Sequence, residues 1–98
     1  MRYNVVVDHR ALIDIRKAAV YYDDKSEGLG TRFKNTLSEY FDILAKSPAF
    51  QIRYKNVRCI PMKEFTFMVH FSIDNKTNTV LVHAVFHTAI NPDKWKIR

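Results

Sequence analysis

The residues of this chain best suited to chemistry are basic or imidazole-bearing and lie in its second half. Read with the period-two alternation of extended chain, Arg58, His70, His83 and His87 gather on the open face of a sheet, with Arg53, Lys55 and Lys63 along its approach. Such a face suits phosphate binding and acid–base work: cationic groups neutralise phosphates, and a histidine transfers protons near neutral pH. For that chemistry His87 is the expected proton-transfer group, with Arg58 and Lys63 as phosphate ligands and His83 or His70 assisting. The competing reading is ordinary, because a histidine on a sheet face is often a half-buried polar residue.

Other chemistries find little support. His83 and His87 are four residues apart, roughly 13 Å along a strand, and cannot share one metal ion. His70 with His83 would give two ligands, with no carboxylate or cysteine placed to complete a tetrahedron. No metal or other cofactor is therefore expected. Cys59 alternates with Arg58, so it is expected to point inward with Val57, as packing and without a base to make it a nucleophile. Tyr21, Tyr22 and Tyr54 have faces for stacking on bases, but tyrosines at helical spacing belong to a core. There is no phosphate-cradling glycine loop and no Ser/His/Asp constellation.

The elements that must carry these residues follow from periodicity. Tyr3 to Val7 is a short β-branched strand. Asp8 stands where a helix N-cap should, ahead of Leu12, Ile15, Ala19 and Tyr22 at spacings of three and four, with Arg10, Asp14, Lys17 and Asp24 on the opposite face. Gly28 and Gly30 mark the turn into a second helix, with Leu29, Phe33, Leu37, Tyr40, Phe41 and Leu44 on one stripe. Ser47-Pro48 stops it. Three strands are then expected: Ile52 to Ile60, Phe65 to Ile73, and Thr79 to His87. A turn at 74–78 that pairs Asp74 with Thr79 sets His70 opposite His83 and Thr66 opposite His87. The fold expected is α+β: a strand, a two-helix hairpin, then a three-stranded antiparallel meander in one sheet with the helices on one face, all as a single domain over 1–98.

The chain has 98 residues and a net charge of +6. Residues 1–47 hold 8 Lys/Arg against 7 Asp/Glu, and residues 48–98 hold 8 against 3. The positive field thus belongs to the C-terminal half and favours nucleic acid or an acidic protein partner. A single cysteine, no apolar leader and no long apolar run predict a cytoplasmic protein with no membrane partner.

Several strings, in this order, resemble the RelE/ParE toxin superfamily. They are Asp8-His9-Arg10-Ala11 opening the first helix; Tyr21-Tyr22 with Gly28-Leu29-Gly30-Thr31-Arg32-Phe33 at the helix junction; Val57 to Phe65; and Ala84-Val85-Phe86-His87-Thr88 followed by Asn91-Pro92 and Trp95. The resemblance implies the toxin of a type II toxin–antitoxin pair, neutralised by a cognate antitoxin whose C-terminal segment wraps it. It implies that Arg53, Lys55, His70, His83, Asn91 and Trp95 belong to a surface for nucleic acid or antitoxin. Two actions divide the superfamily: RelE-like cleavage of mRNA on the ribosome, and ParE-like poisoning of DNA gyrase. The arginine common three residues after the last histidine is replaced here by Ile90, which removes a phosphate ligand and favours the gyrase side. A decayed, non-toxic member that still binds its antitoxin is the third possibility.

Overall fold

The computed structural model describes residues 2–49 and 52–90, with the backbone alone over 52–54. Strand β1, Asn4–Val7, runs into helix α1, His9–Lys25, through Asp8, whose carboxylate accepts the Arg10 N–H at 2.9 Å. That bond satisfies one of the donors a helix leaves open at its start. Gly28, at φ 83°, makes the left-handed step into helix α2, Leu29–Lys46. Gly30 lets the two helices close up: its N–H donates to the Asp23 carboxylate at 2.7 Å, and a Cβ there would meet the Ala19 carbonyl. Helix α2 ends at Ser47, ahead of Pro48.

Among the described residues five strands form one sheet, in the order β1-β5-β4-β3-β2. The later strands are β2 (Ile52–Tyr54), β3 (Val57–Pro61), β4 (Phe67–Asp74) and β5 (Thr79–His87). These four run antiparallel in sequence order, while β1 lies parallel to β5, so the sheet is mixed. The strand expected over Ile52–Ile60 is in fact a hairpin. It turns at Lys55-Asn56, with Lys55 at φ 47°, a conformation that its side chain does not advertise.

Both helices cover one face of the sheet. Phe33 of α2 is fully buried, with its ring centroid 5.3 Å from Tyr22, 5.2 Å from Phe65 and 5.5 Å from Phe67. Leu37, Leu44, Phe71, Val80 and Val82 complete the centre of this core. Burying each such Phe, Leu or Val contributes roughly 1.5–3 kcal/mol. Leu12, expected in the core stripe of α1, is 39% exposed; Ala11 and Ala18 are buried in its stead. Ile15, Ala19 and Tyr22 are buried as expected, and the small side chains of Ala11 and Ala18 let the helix approach the sheet closely. No described helix is long and apolar enough to cross a membrane.

Candidate functional site

The register expected for β4 and β5 holds from the turn inward, with Asp74 opposite Thr79 and Phe71 opposite Val82. It then shifts. His70 lies opposite Ala84, leaving His83 as the extra residue of a bulge, and His87 lies opposite Phe67. A one-residue shift exchanges the faces of everything beyond it. Val85 and His87 therefore join Val80 and Val82 on the helix side, and Ala84 and Phe86 turn to the far side with His70.

The expected common face of Arg58, His70, His83 and His87 does not exist. Arg58 pairs with Phe71 and so shares the helix-side face, half-buried. His70 is fully buried on the other face, its ring 5.0 Å from Phe86 and its Nδ1 3.3 Å from Cys59 Sγ. Cys59 is buried as expected, but on the face away from the helices and beside an imidazole. His83 meets Ser72 across the strands, Nε2 to Oγ 2.7 Å. Burial holds its pKa below the ordinary histidine value; the Asp8 carboxylate opposes this and Arg10 adds to it.

His87 sits at the end of β5 against helix α1. Its Nε2 lies 3.0 Å from Thr66 Oγ1, its Nδ1 accepts the Ala89 N–H at 3.0 Å, and its ring meets Phe67 edge-on at 5.2 Å. An imidazole that accepts at Nδ1 carries its proton on Nε2, so Thr66 Oγ1 is the acceptor of that second bond. Beside it opens a cleft of about 380 Å³ lined by Asp14, Lys17, Tyr21, Phe67, Phe86, His87 and Ile90, among others.

Lys63 is exposed on the turn between β3 and β4, and Lys55 is exposed on the turn at the opposite end of β3. Arg53 lies in β2; its side chain, together with Asn91 and Trp95, falls outside the described residues. Three residues that the sequence placed only in the core or on a solvent face also make polar contacts here. Tyr40 Oη donates to Glu64 Oε1 and accepts the Lys63 N–H, both at 2.8 Å. Tyr22 Oη takes the Thr66 N–H at 3.4 Å. Asp14, expected on the solvent face of α1, accepts the Val85 N–H at 3.1 Å. It supplies an acceptor on β5 beyond Val82, where the pairing with β1 ends.

No family model and no curated protein matches the sequence. Solved structures do match. A chain of the chromosomal ParDE toxin–antitoxin system from P. aeruginosa aligns with a TM-score of 0.77 at 10% identity, over 88% of this chain and 96% of that one. A doubly substituted E. coli RelE toxin in the free state gives 0.73 at 19% identity, over 98% and 93%. The same E. coli variant with an antitoxin RelBc peptide gives 0.69 at 20% identity, over 99% and 94%.

The chain has the RelE/ParE fold. Within that fold, the strand, helical hairpin and following strands stand in the order read from the sequence. The side chains held by this RelE/ParE sheet are split between its two faces and its two ends.

Proposed function

We propose that this chain is the toxin of a type II toxin–antitoxin pair, held inactive by a cognate antitoxin and acting when released by docking onto DNA gyrase. The likeness to solved toxins, some in complex with antitoxins, supports the pairing. One observation carries the docking action: the three imidazoles expected to move protons are already engaged. His87 uses both ring nitrogens within the chain, His83 is bonded to Ser72, and His70 is buried against Cys59. A general base needs a lone pair within reach of the substrate proton. Ile90, where the superfamily commonly has a phosphate-binding arginine, supports the same reading.

Ribosome-dependent mRNA cleavage is the second reading. The cleft beside His87, with Lys17 on its wall, is the feature that favours it. Induced expression in a host lacking the antitoxin separates the two when growth, mRNA 5′ ends and DNA breaks are followed together. Arrest with DNA breaks and an unchanged mRNA pattern is the expected result. Arrest with new mRNA ends inside codons would replace gyrase by the ribosome. No arrest by folded protein would leave antitoxin binding as the remaining activity.

A further inference from the structure

The solvent face of α1 is not the polar surface that an outer helix normally presents. Of the six large hydrophobic residues exposed among the described residues, four lie on it: Leu12, Ile13, Val20 and Tyr21. Val20 is 60% exposed, the highest of the six. Single exposed apolar side chains are common, but their concentration on one helix face marks a contact surface.

The charges beside Val20 say what fits there. Arg16 and Lys17 precede it by four and three positions, and Asp23 and Asp24 follow it by three and four. The pattern is antisymmetric about Val20. Within one helix these charges cannot meet, because Arg16 and Asp24 are about 12 Å apart along the axis. The ion pair found among the described residues is Arg10 with Asp8, which leaves Arg16, Lys17 and Asp24 for a partner. A two-fold contact joins position i to j and j to i. An antiparallel second copy with Val20 on the axis therefore sets Arg16 of each chain against Asp23 of the other, and Lys17 against Asp24, because residues seven apart share one side of a helix.

We infer that the chain self-associates through α1, as a two-fold dimer with Val20 at its axis and reciprocal Lys17–Asp24 pairs beside it. One helix pair buries less than the ~1,200 Å² of a standard interface, so the dimer is a reversible one.

Sedimentation of the purified chain from micromolar to near-millimolar concentration tests this directly. A concentration-dependent dimer is expected, and Val20→Asp should weaken it by about tenfold or more. Lys17→Glu and Asp24→Lys should each weaken it, and the two together should restore it. Asp23 is left intact because it holds the Gly30 N–H. The charge swap also separates specific pairing from net charge. On a basic protein, Lys17→Glu alone would strengthen an association governed only by overall repulsion. Val20→Cys should oxidise to a covalent dimer; the native Cys59 is buried. A chain monomeric throughout, a dimer indifferent to Val20→Asp, or a double swap weaker than both single variants would overturn the inference.

Discussion

Ser72 Oγ and His83 Nε2 lie 2.7 Å apart across β4 and β5, and they meet because His83 is the residue that the ladder leaves out. The bulge does two things at once. It aims the His83 imidazole at the Ser72 hydroxyl, and it turns Val85 inward to the core, where it is 2% exposed. Without it, the apolar pattern of β5 would bury Ala84 and Phe86 against the helices instead.

The bulge makes stability depend on pH in a stated direction. Burial lowers the His83 pKa below its ordinary 6.5, so the unfolded chain binds this proton more readily than the folded one. Its contribution is then fully present above about pH 6.5 and is lost as pH falls toward the lower folded value. Urea unfolding midpoints should fall between about pH 7.5 and 5, and His83→Gln, which keeps a hydrogen-bonding group but cannot titrate, should flatten that fall. An equal slope in both proteins would show that other groups set it.

The helix junction gives a steric prediction. A methyl group on Gly30 would meet the Ala19 carbonyl and the Asp23 carboxylate, so Gly30→Ala must push the helices apart. The expected loss is about 1–3 kcal/mol by chemical denaturation. Gly28 has open space around it but a φ of 83°. Gly28→Ala should lose about 1–2 kcal/mol through the backbone alone, and Gly28→Asn much less. Equal losses at Gly28 for Ala and Asn would refute the backbone argument.

The docking reading makes a prediction about activity. Arg58 and His87 are the residues a nuclease would need most, yet both lie on the helix-side face and His87 has each nitrogen engaged. Arg58→Ala with His87→Ala should therefore leave growth arrest within a few-fold of the parent. Abolished toxicity in a double variant that remains folded by circular dichroism would return the chain to acid–base chemistry on RNA.

These residues also show how far the sequence could be read. The Asp8 cap, the stripe from Phe33 to Leu44, the Ser47-Pro48 stop and the pairing of Asp74 with Thr79 are local patterns, and each was legible. The bulge at His83 was not, because alternation along β5 looks equally regular in either register. The turn at Lys55-Asn56 was also hidden, since neither residue carries the glycine signal of a tight hairpin. The common face expected for the imidazoles and Arg58 is broken at two places: the slip at His83 moves His87 to the helix side, and Arg58 is set there by its pairing with Phe71. Asp14 was misplaced because a charged residue at a polar helix position gives no sign that a strand N–H lies within its reach.

Tyr40 offers the cleanest test of what positions Lys63. Its hydroxyl donates to Glu64 and accepts from the Lys63 N–H, and burial together with the Glu64 carboxylate pushes its pKa up, keeping the proton in place. Tyr40→Phe keeps the ring in the core but leaves a carboxylate and an amide without their partner. The expected loss is about 1–2 kcal/mol. Hydrogen exchange tells local from global effects: the Lys63 amide should exchange faster by more than the change at Val69 in β4, which reports overall unfolding. If the two amides speed up equally, Tyr40 stabilises the fold at large and has no special hold on the turn that carries Lys63.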